Sequence, residues 1–222
     1  MFHKQPLLRE LKEVNYLFKR LTGTHVLLMA GNHDYISQTS NYMNFPWADH
    51  VHMFYQEELT DFYIKELNTR VFGLSYFTRD ITEPKYHQSV LINKQEISIL
   101  LAHGGDEKDI PIDRKIIESQ GYTYVALGHI HKPALFTNQM AYPGSLEPLD
   151  KTETGEHGYI QGEISKFGDE YQTVIKFVPC SRRQYIPIEF EVQPHMTQLE
   201  VIDGIREQIR LKGTNHIYSC LL

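Results

Sequence analysis

Three apolar runs, each followed at once by a segment of glycine and histidine, constrain the fold of this chain more than any other feature. The runs cover residues 25–30, 96–102 and 122–127. Apolar runs of this length suit parallel strands that are covered on both faces. The polar segments after them would then meet at the carboxyl edge of one sheet. These segments are Gly31-Asn32-His33-Asp34, His103-Gly104-Gly105 and Gly128-His129-Ile130-His131.

Helix and strand patterns alternate along the first part of the chain. Residues 6–22 repeat apolar positions at steps of four and three, which predicts an amphipathic helix ending near Gly23. A second helix is predicted over residues 112–120. The pattern thus predicts an α/β unit. Shorter strands are predicted at residues 51–55, 61–65 and 70–76.

After about residue 134 the pattern changes to strands separated by Gly and Pro turns. It predicts β-hairpins involving residues 134–142, 157–164, 171–179 and 184–192. Thr197-Gln-Leu-Glu200 is a capping box that opens an amphipathic helix, and a last strand starts at His216.

Composition excludes several classes of protein. The longest apolar run is far shorter than the roughly 20 residues that cross a bilayer, so no membrane contact is expected. Cys180 and Cys220 lack metal-knuckle spacing and are expected to be reduced thiols in the cytoplasm. The net charge of −6 gives no overall attraction to a polyanion.

Imidazole nitrogens and amide oxygens predict a metal site at the shared sheet edge. They suit borderline first-row cations such as Mn²⁺, Fe²⁺ or Zn²⁺. Two such ions about 3.5–4 Å apart can clamp a phosphate. In an extended backbone, His129 and His131 point to the same side because one residue separates them. They could therefore serve two adjacent ions.

The ordered motifs GNHD, HGG and GHIH resemble those of the calcineurin-like metallophosphoesterases and, within them, the SbcD-type DNA-repair nucleases. The resemblance covers residues 5–165 and continues over 180–222 only in pattern. It implies an αββα sandwich of the α/β (α+β) class, with two mixed sheets facing each other and helices outside. We expect a phosphoesterase domain over residues 1–178 and the start of a capping domain over residues 179–222.

The resemblance also implies roles for individual residues. His33 would be the catalytic histidine that contacts the phosphate, and Asp34 would orient it. The alternative for Asp34 is an Asx turn or cap. Ser145, in the loop Tyr142–Glu147, would bind substrate, although a simple Pro-Gly turn explains that loop equally well. The implied ligands of one metal are Asn32, His103 and His129, and His131 would bind the other, with Mn²⁺ expected and Fe²⁺ or Zn²⁺ as alternatives.

The sequence departs from that family before its first motif. Residues 1–33 contain no aspartate, whereas the family has an Asp-x-His and a Gly-Asp motif there. Glu10 and Glu13 lie on the predicted first helix and cannot replace a carboxylate that bridges two ions. The chain also starts after the expected first motifs and stops within a predicted strand. We therefore expect it to be either an internal portion of a longer nuclease or a truncated gene product.

The predicted function is a metal-dependent phosphodiesterase, an exonuclease or endonuclease acting on DNA with an SbcC-like coiled-coil ATPase as partner. A homodimer is a further expectation. One alternative is a non-catalytic subunit that docks the ATPase, and another is a phosphoesterase for small nucleotides. Asp49-His50-Val51-His52 are interpreted as a solvated loop, and Asp106 and Asp109 as surface charge. For His157 the default interpretation is a turn residue, and an approach to the site is the alternative.

Overall fold

The fold is described for residues 5–88, 90, 92–105 and 107–221 in a computed structural model. The helices are α1 (Leu8–Phe18), α2 (Arg114–Ser119) and α3 (Gln198–Lys212). The strands are β1 (Val26–Leu28), β2 (Val51–Met53), β3 (Thr60–Ile64), β4 (Thr69–Gly73), β5 (Ile97–His103), β6 (Tyr124–Gly128), β7 (Ala134–Thr137), β8 (Met140–Tyr142), β9 (Gly158–Phe167), β10 (Glu170–Pro179), β11 (Tyr185–Glu189) and β12 (Ile217–Leu221).

A six-stranded mixed sheet forms the centre of the fold, with the strand order β3-β4-β5-β6-β8-β7. Strands β4, β5, β6 and β8 run parallel, whereas β3 and β7 pair antiparallel at the two edges. Strand β5 alternates side chains between two apolar layers, because successive residues of a strand point to opposite faces. Leu100 and Ala102 pack with Ile117 of α2, while Ile99 and Leu101 face the other way.

That other face packs against a second sheet, formed by the parallel pair β1 and β2. Leu27 and Met29 contact the same cluster as Ile99 and Leu101. Helix α1 lies beyond this sheet and buries Leu11 completely. The layers therefore run helix, sheet, sheet, helix, which confirms the predicted fold class.

Strand β1 is less buried than the sequence predicts. All three of its residues are half-buried. Among the described residues it pairs with β2 alone, so one of its edges has no neighbouring strand to cover it. An apolar run therefore predicted the strand correctly but overestimated its burial.

The late strands form two separate pairs. Strands β9 and β10 make the predicted antiparallel hairpin, in register from Gly158 with Pro179 to Phe167 with Glu170. Strand β11 was predicted within a hairpin, and this is wrong, because it pairs parallel with β12 and α3 makes the connection. A parallel pair needs such a long crossover. In the described part of the chain, no helix has the length and apolarity to cross a membrane.

Candidate functional site

The three histidine segments meet at one edge of the fold. His103 is the last residue of β5 and pairs with Gly128, the last residue of β6. The first segment, Gly31–Asp34, follows β1, and the carbonyl of Ala30 at the exit of that strand accepts a hydrogen bond from the Tyr76 N–H at 3.1 Å. The topology thus places all three segments at the carboxyl ends of parallel strands, where ligands bind in open α/β sheets.

Asn32 and His103 contact each other directly. His103 Nε2 lies 3.0 Å from Asn32 Oδ1, and Asn32 Nδ2 donates to Asp109 Oδ1 at 2.6 Å. A carboxylate can only accept hydrogen bonds, so it requires the amide nitrogen of Asn32 on its side. Asp109 therefore turns the amide oxygen of Asn32 toward His103.

The glycines beside these residues make room for the His103 ring. A Cβ atom on Gly31 would lie 2.6 Å from the ring, and one on Gly128 would lie 3.2 Å from Nδ1. Contacts below 3.0 Å are essentially never seen for a Cβ atom, so Gly31 is required for His103 to lie where it does.

Buried tyrosines fix the backbone of His103. The Tyr86 hydroxyl accepts from the His103 N–H at 3.0 Å, and the Tyr76 hydroxyl donates to the His103 carbonyl at 2.9 Å. Burial lowers the pKa of His103 to about 3, with further lowering from the nearby imidazoles of His129, His33 and His131. At neutral pH the ring is therefore uncharged, which is the form that binds a metal ion.

His129 adopts an unusual backbone conformation. Its φ angle is +99°, a region that residues other than glycine rarely enter and that costs about 1–3 kcal/mol. Its Nε2 lies 3.7 Å from Asp109 Oδ2, and its ring meets the His103 ring edge to face at 5.3 Å between centroids. The strained backbone thus directs the imidazole toward Asp109 and His103.

Asp34 is buried, whereas His33 beside it is exposed. The Asp34 carboxylate accepts from the Gly31 N–H at 2.8 Å and from the Tyr42 hydroxyl at 2.6 Å. Burial raises the pKa of Asp34 although these hydrogen bonds oppose the shift. They close the turn around Asn32, as the cap alternative expected. The orientation of His33 by Asp34 stays a prediction.

His131 lies in a second group of polar residues, supplied by the loop after β8. Its Nδ1 is 2.6 Å from Glu153 Oε1, and its carbonyl accepts from the Ser145 N–H at 3.0 Å. The Ser145 hydroxyl lies 2.8 Å from Nδ1 of His157, which is almost fully buried. The loop that carries Ser145 therefore returns to the third histidine segment.

Two carboxylates at the site were missed or misread in the sequence. Asp109 was interpreted as surface charge, and this is wrong, because its side chain is 13% exposed and contacts Asn32 and His129. The sequence signal for Asp109 was its position shortly after the His103-Gly104-Gly105 motif. In the structure, the Gly105 N–H donates a hydrogen bond to the Asp109 carbonyl oxygen at 3.0 Å. Asp106 lies outside the described residues. Glu153 had no sequence signal, and His157 is a buried partner of Ser145 rather than a turn residue.

The donor atoms of the site fit one first-row cation better than the two cations that the sequence predicts. Within the described residues, no three His, Cys, Asp or Glu side chains form a group that could hold a metal ion. The amide of Asn32 extends the set. Its oxygen and His103 Nε2, 3.0 Å apart, have the spacing of adjacent ligands around a cation roughly 2.0–2.2 Å from each. Neutral imidazole with amide and carboxylate oxygen is the chemistry that Mn²⁺, Fe²⁺ and Zn²⁺ accept.

Glu10 and Glu13 lie on α1, as expected. Glu10 accepts from the Leu7 N–H at 2.8 Å and so caps the helix, and Glu13 is exposed.

Comparison with known proteins identifies the family. A search of the curated proteins finds no match. The sequence pattern of the calcineurin-like phosphoesterases matches residues 5–133, more than half of the chain and all three histidine segments. The chain therefore belongs to the calcineurin-like phosphoesterase family, whose members carry out metal-dependent hydrolysis of phosphoesters.

Proposed function

We propose that this chain is a metal-dependent phosphodiesterase of the SbcD type, acting on DNA as an exonuclease or endonuclease. The observation that carries the proposal is a cluster in which Asn32 and His129 both contact the carboxylate of Asp109, while His103 contacts Asn32 and packs against the His129 ring. Two imidazoles, an amide oxygen turned inward and a nearby carboxylate would make a cation site at this edge of the sheet.

In this proposal, Asn32 Oδ1, His103 Nε2 and His129 Nε2 hold the first cation, with Mn²⁺ expected. A bound divalent cation supplies charge that polarises a phosphoryl oxygen. His131 is the ligand proposed for the second cation of the pair that the family uses. Ser145 borders the same cleft as a substrate-binding residue.

His33 is the proton donor in this proposal. It follows Asn32 directly and is exposed, which supports contact with a bound phosphoester. Its imidazole donates a proton to the leaving oxygen, as general-acid catalysis requires. The buried Asp34 fixes the turn from which His33 projects.

A DNA substrate is proposed because the motifs resemble those of the SbcD-type nucleases and because the chain has an additional unit after β8. The net charge of −6 makes binding depend on local contacts and on bound cations rather than on the overall field. An SbcC-like ATPase is the proposed partner, and the exposed Leu199 and Leu211 of α3 offer it apolar contacts. We place the protein in the cytoplasm and allow for a homodimer.

The test measures Mn²⁺ binding by electron paramagnetic resonance together with hydrolysis of bis-p-nitrophenyl phosphate. The wild-type chain should bind Mn²⁺ and show Mn²⁺-stimulated hydrolysis. His103→Gln should weaken both by about 100-fold or more, since it removes a buried ligand. His195→Gln, at an exposed histidine, is the matched control and should change neither. Absence of Mn²⁺-stimulated hydrolysis by the wild-type chain would overturn the proposal.

The second candidate function is a non-catalytic subunit that keeps the fold and docks an ATPase. It is favoured by the lack of aspartate in residues 1–33 and by the lack of a three-residue metal group in the described residues. Retained binding of duplex DNA or of the ATPase, without hydrolysis in Mn²⁺, would favour it. Preference for a mononucleotide ester over DNA would instead favour a small-substrate phosphoesterase.

A further inference from the structure

Glu153 is the centre of the polar group around His131. Its Oε1 lies 2.6 Å from His131 Nδ1, and its Oε2 accepts from the Leu149 N–H at 3.0 Å and from the Ser145 hydroxyl at 3.3 Å. The side chain is 17% exposed, whereas that of His131 is 41% exposed. The carboxylate is therefore anchored inside the loop, and the imidazole extends from it toward the open cleft.

The backbone of the loop is fixed independently of Glu153. The Ser145 N–H bonds to the His131 carbonyl, and a Cβ atom on Gly144 would lie 2.5 Å from that carbonyl oxygen. His157 is buried, with its Nε2 3.3 Å from the Glu153 carbonyl oxygen. Both ends of the loop thus hold Glu153 opposite His131.

A carboxylate at one imidazole nitrogen determines what the other nitrogen can do. Because Glu153 can only accept, the proton of a neutral His131 stays on Nδ1 and the lone pair lies on Nε2. In metal sites, carboxylates placed in this way fix the tautomer and the orientation of the ring.

We propose that Glu153 is a positioning residue, which holds His131 with its Nδ1 proton bound and its Nε2 directed into the cleft toward a cation or a phosphate. Ser145 then helps to position His131 through its hydrogen bond to Glu153, in addition to the substrate-binding role proposed for it. The inference deepens the proposed function and rests on it for the identity of what Nε2 contacts, but the tautomer itself is independent of any activity.

The first test reads the tautomer directly, by two-bond nitrogen–proton NMR of the imidazole rings, with His131→Gln used to assign the signals. In the neutral form of its ring, wild-type His131 should carry the proton on Nδ1 and none on Nε2. In Glu153→Gln the amide can donate as well as accept, so the two tautomers should mix. Glu156→Gln, at an exposed glutamate of the same loop, should match the wild type. An unchanged tautomer in Glu153→Gln would overturn the inference.

The second test measures Mn²⁺ affinity by electron paramagnetic resonance. Loss of such a partner weakens metal binding by about 10- to 100-fold, and we expect this for Glu153→Ala. Glu153→Asp should restore part of the affinity, because it keeps an acceptor-only group. Equal loss in Glu153→Asp and Glu153→Ala would contradict positioning and indicate a structural role. If the wild-type chain fails to hydrolyse phosphodiesters, the proposed function fails while the tautomer result still stands.

Discussion

Two histidine clusters lie at opposite ends of the parallel strands, and each contains one histidine of a His-x-His sequence. The mouth cluster, at the carboxyl ends, consists of Asn32, His103, Asp109 and His129. The base cluster, at the amino ends of β1 and β2, consists of His25, His52 and Glu66. The related sequences are His129-Ile130-His131 and His50-Val51-His52.

The clusters use their ring nitrogens differently. In the base cluster, His25 Nδ1 lies 3.2 Å from His52 Nε2, while His25 Nε2 lies 2.6 Å from Glu66. His52 also stacks on Phe62, with 3.9 Å between ring centroids. In the mouth cluster, the rings of His103 and His129 meet edge to face, and their Nε2 atoms lie near side-chain oxygen atoms of Asn32 and Asp109. Adjacent glycines and the end of the strand, rather than His-x-His spacing, distinguish the candidate ligand site from a pair of bonded histidines.

The comparison also corrects the interpretation of residues 49–52 as a solvated loop. His52 lies within β2 and is half-buried, and His50 Nε2 bonds to the Phe18 carbonyl oxygen at 3.0 Å. The structure assigns these histidines to packing and hydrogen bonding between elements.

Gly31→Ala should have the largest effect, because it breaks the mouth cluster through a single methyl group. The new Cβ atom would lie 2.6 Å from the His103 ring and displace it. We expect about a 100-fold loss of Mn²⁺-stimulated hydrolysis and a loss of about 1–3 kcal/mol in unfolding free energy. Urea denaturation and phosphodiester hydrolysis measure the two effects. Gly23→Ala adds a methyl group where nothing lies within 4 Å but the φ angle is +72°, so it should cost stability through backbone strain and leave Mn²⁺ binding and hydrolysis unchanged. Equal loss of hydrolysis in both variants would contradict the argument.

Asp109→Asn tests whether a carboxylate orients the mouth cluster. An amide in its place no longer fixes which end of Asn32 faces His103, so Mn²⁺ affinity should fall by about 10- to 100-fold. Calorimetric titration with Mn²⁺ measures this. Asp169→Asn, at an exposed turn, is the control. Wild-type affinity in Asp109→Asn would show that Asp109 is dispensable.

His129→Gly tests the cost of the strained backbone. Glycine accepts a φ angle of +99° without strain, so the variant should gain roughly 1 kcal/mol in stability while losing Mn²⁺ affinity. His129→Ala removes the imidazole but keeps the strain, and should lose affinity without that gain. Thermal unfolding distinguishes the two, and identical melting temperatures would argue against strain.

The base cluster should respond to pH. Burial, followed by the charges of His25 and His50, lowers the pKa of His52, although Glu66 opposes the shift. A histidine whose pKa is lower when folded binds fewer protons in the folded state than in the unfolded state, so stability falls as the pH drops below about 6.5.

One such group contributes at most about 1.4 kcal/mol per pH unit. Denaturation of His52→Gln between pH 7.5 and pH 5 should therefore show a flatter loss of stability than the wild type. His195→Gln should follow the wild type. A steeper loss in His52→Gln would reverse the assigned sign.

The fold was largely predictable because its signals are local. Runs of apolar residues located β5 and β6, and turn chemistry located the β9–β10 hairpin. The parallel pairing of β11 with β12 was not predictable, because strand direction depends on how α3 packs rather than on the strand residues.

The site was predictable only for residues that end strands. His103 ends β5, His129 follows β6 directly and Asn32 lies four residues after β1, so topology brings them together. Asp109 and Glu153 reach the cleft from loops that fold back, and their positions depend on tertiary contacts such as the Gly105 and Leu149 hydrogen bonds. The two-metal prediction remains a prediction, because within the described residues no three His, Cys, Asp or Glu side chains form a group that could hold a metal ion.

The β9–β10 hairpin connects the two ends of the molecule. It starts beside the buried His157. Its far part is hydrogen-bonded to the base of the central sheet. There the Tyr171 hydroxyl donates to the Gln95 carbonyl at 3.2 Å, and the Thr173 hydroxyl donates to the Thr123 carbonyl at 2.8 Å. One wall of the cleft thus depends on the central sheet and the other on this hairpin. Sequence drift or engineering in the hairpin could remodel the His131 wall without disturbing His103.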